Sequence, residues 1–402
     1  MTTTVGHYLA TRLEQIGLEH YFQVPGDYNL QLLDELLKND NLKMMSCTNE
    51  LNASYAAEGY ARANGASACV ITFNVGAFSA LNGVAGAYAE RLPMIFISAG
   101  YNTNDEASGR FLHHTIGTTD YSYQEEMFRH VTCKTVRILT AEEAPSLIDD
   151  AIATALRESK PCYIEIASNL ADAECADPQP RTFERAWDVD YDQEAVERAA
   201  SEIAEQINAA EKPLLLAGPH LRPYGAIDAF RSVAEAIGCA VAVQPNAKSF
   251  FPEDHPQFIG HYLGNSSVPG AEATVDLADC VLAAGPMFTD YSTVGWTTTV
   301  PNDSGYIAIA EDGVTTPDAK HTNLPIAAVL EALEAKVQRN TATLDQFDRD
   351  DVTGEAASYT PAEDSAQLTR AEMVHQINEL ISADSTLFAE TGDSWFNGLH
   401  MQ

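Results

Sequence analysis

The sequence predicts an α/β protein of more than one domain, each domain built on a parallel sheet. Three observations carry that expectation. Helix-period and strand-period segments alternate as far as residue 167, a proline-bearing irregular stretch interrupts them at 173–191, and a second alternation of the same kind follows. At 402 residues the chain also exceeds what one ordinary core holds.

Val5, Tyr8, Leu9, Leu13 and Ile16 fall on one helical face, and Gly17 suits the stop. His20 to Val24 then reads as a short strand running into the turn Pro25-Gly26-Asp27. A helix over 29–38, a strand over 43–48 and a small-residue helix over 51–63, ended by Asn64-Gly65, come next. They are followed by a strand over 68–73, a turn at Gly76, a helix over 77–90 and a strand over 93–99. Residues 101–131 form a polar excursion, and strand, helix and strand then occupy about 133–167. The second series runs through a helix over 192–210, a strand over 213–217, a helix over 224–237, strands over 239–244, 279–284 and 305–310, and a helix over 325–338. The acidic, aperiodic segment 339–366 reads as a linker, after which a helix over 368–382 and a strand over 385–389 open a third domain.

The balance of 58 acidic to 23 basic residues gives a net charge of −35. Such a surface repels phosphate backbones and anionic lipid, so neither a nucleic acid nor a membrane partner is expected. No apolar run approaches the roughly 20 residues that span a bilayer, and Met1 to His7 hold no signal core. A cytoplasmic protein is the expectation. Seven cysteines stand singly, with no Cys-x-x-Cys pair, and are expected to fill cores. A dinucleotide-type Gly-x-Gly-x-x-Gly after the first strand is absent, which disfavours a dehydrogenase.

Ligands of parallel sheets bind beyond the carboxyl ends of the strands. Asp27 follows the first strand, Glu50 the second, Asn74 and Gly76 the third, and His113-His114 lie in the excursion after the fourth. Two carboxylates and two imidazoles on one edge make an acid–base constellation. Asp27 also suits a plain turn, Glu50 a helix start, and the His pair a solvated loop. No spaced ligand set of the His-Glu-x-x-His kind points to a metal.

The stretches Gly26-Asp27-Tyr28-Asn29, Asn49-Glu50-Leu51-Asn52, Ala57-Glu58-Gly59-Tyr60-Ala61-Arg62, Leu112-His113-His114-Thr115 and Glu390-Thr391-Gly392-Asp393-Ser394-Trp395-Phe396 sharpen this reading. In that order they closely resemble the thiamine-diphosphate-dependent 2-keto acid decarboxylases, above all the pyruvate decarboxylase family. The resemblance implies the multi-domain parallel-sheet architecture of the thiamine-diphosphate enzymes. A pyrimidine-binding domain would span 1–185, a middle Rossmann-like domain 190–340, a linker 341–366, and the start of a diphosphate-binding domain 367–402. It implies thiamine diphosphate and magnesium as cofactors and non-oxidative decarboxylation of pyruvate to acetaldehyde and carbon dioxide.

By the same resemblance the catalytic residues are Asp27, Glu50, His113 and His114. Glu50 would hydrogen-bond the aminopyrimidine ring, and Asp27 and His114 would manage protonation after carbon dioxide leaves. Asp27, His114, Tyr291 and Thr391 would meet substrate, and Glu50 and Asp393 the cofactor. The family's Gly-Asp-Gly motif with paired downstream asparagines, which holds magnesium and diphosphate, is not found in these residues. The chain by itself is therefore expected to be an incomplete and inactive enzyme, and the complete enzyme a homodimer or homotetramer. Decarboxylation of aromatic or branched-chain 2-keto acids, and a non-catalytic module derived from such an enzyme, remain alternatives.

Overall fold

A computed structural model describes residues 2–300, 305–347, 367–399 and 401. The chain divides into two compact units, Met1–Val189 and Asp190–Gln402.

In the first unit a sheet of six parallel strands runs, in spatial order, Lys43–Ser46, His20–Gln23, Ser67–Ile71, Met94–Gly100, Cys162–Ala167 and Lys134–Ile138. The three central strands are buried at every position, as a sheet covered by helices on both faces requires. Their apolar residues form two cores, one on each face. The helices Val5–Gln15 and Ala144–Glu158 close one of them. The helices Glu50–Asn64 and Val75–Ala89 close the other.

That second helix pair approaches closely through small residues, Ala53, Ala57 and Ala61 on one helix and Ala77, Ala80, Val84 and Ala87 on the other. At the crossing a Cβ on Gly83 would lie 2.2 Å from Ser54 Oγ and 2.7 Å from its Cβ, so the approach depends on glycine. Gly65, at φ 82, ends the helix Glu50–Asn64 in the left-handed conformation.

The second unit holds a seven-stranded sheet in the order Phe258–His261, Ala240–Val243, Pro213–Ala217, Cys280–Ala284, Tyr306–Ala310, Gly313–Thr315 and Lys320–Thr322. Its first five strands are parallel and its last two form an antiparallel hairpin. Val196, Ala199, Ala200, Ile203 and Ile207 give the helix Gln193–Ala209 its buried stripe, and Asp192 caps it by accepting from the Glu194 and Ala195 amides.

The elements differ from expectation in five places. Gly76 lies inside the helix Val75–Ala89 and makes no turn; the reversal is made by Asn74, at φ 55. The stretch 173–191, whose irregular pattern reads as a linker, is instead anchored in the first unit: Glu174–Ala176 pairs with Thr2–Thr4, and Phe183 is buried there. The strand Phe258–His261, the helix Pro269–Leu277 and the closing hairpin were not foreseen, because each is short and its apolar residues are few. The expected linker 341–366 begins inside the second unit. There the helix Ala342–Asp345 buries Thr343, which donates to Pro213 O at 2.7 Å and accepts from Ala240 N at 3.1 Å. The rest of that segment, 348–366, lies outside the described residues.

Finally, residues 385–389 form no strand. A strand exists only within a ladder, and here Phe388 is 91% exposed with no neighbouring strand among the described residues. The helices Arg370–Leu380 and Asp393–Gly398 flank the segment.

The cysteines are free, five of them buried and Cys47 and Cys133 half-buried. Among the described residues no helix is long and apolar enough to cross a membrane.

Gly83→Ala is expected to destabilise the first unit by about 1–3 kcal/mol through overpacking against Ser54. A denaturant midpoint unchanged by the substitution would show that the helices separate freely.

Candidate active site

The first sheet changes its direction of winding at the strand His20–Gln23: the chain moves to Lys43–Ser46 on one side of it and to Ser67–Ile71 on the other. A crevice opens beyond the carboxyl ends of strands at such a reversal. The turn after His20–Gln23 is stapled by Asn29, fully buried, which accepts from the Gly26 amide at 2.7 Å and donates to Val24 O at 3.0 Å. This staple leaves the neighbouring Asp27 exposed at the lip.

Across the crevice, Thr72 follows Ser67–Ile71. A Cβ on Gly26 would sit 2.6 Å from Thr72 Cβ, and one on Gly76 would sit 2.8 Å from Thr72 Cγ2 and 3.1 Å from Glu50 Oε1. Gly26 and Gly76 therefore let the turn and the helix start close on one threonine, and Gly76 also leaves room for the Glu50 carboxylate beside that helix start. Glu50 opens its helix after Asn49, whose side chain accepts from the Asn52 amide at 2.9 Å. The positive end of that helix favours a carboxylate there.

His113 and His114 come from the loop between the helices Thr103–Ala107 and Tyr123–Phe128. His113 Nε2 lies 2.5 Å from Asp27 Oδ2, and the Tyr28 ring stacks on the imidazole at 5.0 Å between centroids. A carboxylate accepts and does not donate, so Nε2 carries the hydrogen of that contact. His114 adopts φ 65, its ring edge-on to His113 at 4.5 Å, and its buried Nδ1 has no hydrogen-bond partner among the described residues. Donor atoms of Asp27, His113 and His114 all lie within 4.8 Å of one another. Beneath them Phe73, Tyr101 and Tyr121 form a small aromatic core against Tyr28 and Leu112.

The other expected site residues belong to the second unit. Tyr291, half exposed, meets the rings of Trp395 and Phe396 at 5.5 Å each. Thr391 is exposed. Asp393 is exposed too and pairs with Arg370 at 3.1 Å. The winding reversal of that unit's own sheet is filled: a Cβ on Gly218 would sit 2.2 Å from Gly285 O, and the His220 amide donates to the same oxygen at 3.0 Å.

Below the first site lies a buried polar group that sequence reasoning missed. Gln124, fully buried, accepts from the Asn74 amide and donates to Ser98 Oγ at 2.8 Å and to Tyr163 Oη at 2.6 Å. Tyr163 donates in turn to Glu165, which Arg137 Nε meets at 3.3 Å. Burial pushes the Glu165 carboxyl up to about 7, against the lowering pull of Arg137 and Tyr163. The one sequence signal was a glutamate inside the apolar strand Cys-Tyr-Ile-Glu-Ile-Ala.

A carboxyl raised in the native state costs nothing below its unfolded value, near 4.5, where it is protonated in both states. The full cost, about 3 kcal/mol, is reached above about 7, where it is ionised in both. The stability of the parent relative to Glu165→Gln is therefore expected to fall as pH rises between those values, read from urea midpoints. A difference independent of pH would show that Glu165 stays ionised throughout.

Residues 3–127 match the family model described as the thiamine pyrophosphate enzyme N-terminal binding domain, and residues 200–335 match that enzyme's central domain. The chain is 46% identical over 399 residues to a probable pyruvate decarboxylase of Schizosaccharomyces pombe, covering 99% of this chain and 69% of that protein. It is 46% identical over 400 residues to a pyruvate decarboxylase of Neurospora crassa, with the same coverage of 99% and 69%. Pyruvate decarboxylase 3 of Arabidopsis thaliana is 42% identical over 402 residues, 98% of this chain and 66% of the plant protein. An acid–base cluster at the winding reversal of the first sheet, the matched N-terminal and central domains and relatives aligned along nearly the whole chain lead to one assignment: the chain belongs to the pyruvate decarboxylase family of thiamine pyrophosphate enzymes.

Proposed function

We propose that the enzyme to which this chain contributes decarboxylates pyruvate to acetaldehyde and carbon dioxide with thiamine diphosphate. The observation that carries the reading is the Asp27–His113 contact at 2.5 Å, with His114 beside it, on the crevice that Glu50 also borders. Thiamine diphosphate supplies the electron sink that a 2-keto acid itself lacks when its carboxylate departs.

The residues fit the aminopyrimidine end of that cofactor. Gly76 leaves space against Glu50 Oε1 that a Cβ would fill, and Thr72 Oγ1 is buried between Gly26 and Gly76 without a hydrogen-bond partner among the described residues. Glu50 would share a proton with a ring nitrogen of the aminopyrimidine and so orient the ring. The Asp27–His113 pair and His114 hold and move the proton that replaces the lost carboxylate, a task suited to imidazole near neutral pH. Tyr291, Thr391 and Asp393 take the family's substrate-lining and cofactor-facing roles, and Trp395, packed on Tyr291, limits the length of the keto acid.

The magnesium end does not fit what is present. Among the described residues the group able to hold an ion is Asp27, His113 and His114, a nitrogen-rich set, whereas magnesium takes oxygen ligands. No step is therefore assigned to magnesium. By the family resemblance the enzyme is cytoplasmic and homodimeric or homotetrameric, and the −35 charge disfavours nucleic-acid and membrane partners.

In the cofactor-loaded enzyme, Glu50→Gln is expected to slow thiazolium proton–deuterium exchange by about 10²-fold or more, since a neutral amide lacks the charge that the carboxylate supplies. Exchange at the parental rate would reduce Glu50 to a helix-start residue. Asp27→Asn and His114→Gln are expected to leave that exchange intact and to lower turnover. Full turnover in either variant would contradict the proton-handling role.

A further inference from the structure

We infer that Gln124 is a positioning residue for the decarboxylation reaction, holding the start of the helix Val75–Ala89 in the conformation that seats Gly76 against Glu50. This inference rests on the catalytic reading of Glu50.

Gln124 is fully buried, and its amide is spoken for on both sides: the carbonyl takes the Asn74 N–H, and the two amide hydrogens go to Ser98 Oγ and Tyr163 Oη. Its orientation is thereby fixed. A flipped amide would set an NH₂ against the Asn74 N–H, two donors face to face in the interior, where an unsatisfied group is costly.

Asn74 is the residue under load. At φ 55 and ψ −91 it lies in a region that side-chain-bearing residues rarely adopt, and such a conformation persists only where its surroundings impose it. Two residues on, the α-carbon of Gly76 lies where a Cβ would be 3.1 Å from Glu50 Oε1. If Asn74 relaxes, Gly76 moves and the space beside the carboxylate changes.

The neighbouring Tyr123 ties in the second half of the site. Its hydroxyl accepts from Asn74 Nδ2 at 2.7 Å and from the Ile116 amide at 3.3 Å, two residues beyond His114. Tyr123 and Gln124, adjacent on the helix Tyr123–Phe128, thus clamp Asn74 through its side chain and its backbone respectively. Tyr163 is itself held by Glu165, and its ring stacks on Phe128 at 4.8 Å, so the anchor of Gln124 is rigid.

The test uses Gln124→Met, and Tyr163→Phe as a second variant that keeps the ring packing should the first fold poorly. Amide hydrogen exchange by mass spectrometry is expected to quicken by about tenfold or more across residues 72–80 in either variant, with protection elsewhere unchanged. In the cofactor-loaded enzyme kcat is expected to fall by about tenfold or more while KM for pyruvate holds, because a small misplacement near a reacting group is costly. Parental exchange across 72–80 in a folded variant would overturn the inference, and so would quickened exchange with parental kcat. Glu50→Gln, assayed alongside, separates the two claims. Its parental turnover would remove the catalytic reading and the inference with it, whereas an inactive Glu50→Gln beside a parental Gln124→Met would remove the positioning role alone.

Discussion

Beyond the carboxyl ends of His20–Gln23 and Ser67–Ile71, Thr72 lies against the α-carbons of both Gly26 and Gly76, and this close approach holds the first site together. A side chain at either glycine would occupy the volume of the threonine. With hydrogen there, the turn that carries Asp27 and the helix start that adjoins Glu50 sit on the same small residue. The crevice is thus narrow by construction, and its polar groups are presented by backbone segments that have little freedom to move apart.

The same sheet architecture in the second unit yields no comparable crevice. There the two strand ends at the winding reversal meet through Gly218 and Gly285, backbone against backbone. Fold alone does not make a site; what differs is whether glycines admit a partner chain or leave space beside a charged group. In the first unit the space is bordered by a carboxylate, and the buried relay from Asn74 through Gln124 and Tyr163 to Glu165 underlies it. Gln124, Tyr163 and Glu165 are each held by partners on more than one element, which stiffens the floor beneath the exposed Asp27 and His113, although Asn74 Oδ1 has no hydrogen-bond partner among the described residues.

The sequence made most of the first unit legible because its three central strands are apolar-rich runs and its helices end in plain stop signals such as Asn64-Gly65. Asp27, Glu50 and the His pair were legible as residues following strands, and the motifs around them gave the family. Their mutual contact was not, since the loop bearing His113 returns to Asp27 over 86 residues of chain. Gln124 and Tyr163 were hidden for another reason: a buried polar residue declares itself only through its partners, which lie on three different elements. The strand expected at 385–389 failed because apolar composition gives propensity, whereas a ladder needs a neighbour.

The central claim is that the crevice of the first unit, bordered by Gly26, Glu50 and Gly76, receives the aminopyrimidine end of thiamine diphosphate. Amide hydrogen exchange of the complete enzyme, measured with and without thiamine diphosphate and magnesium, addresses it directly. The account predicts added protection in the peptides containing 26–29, 49–52 and 74–77, and its loss in Glu50→Gln. Protection confined to residues beyond 190, with those three peptides unaffected at saturating cofactor, would contradict it.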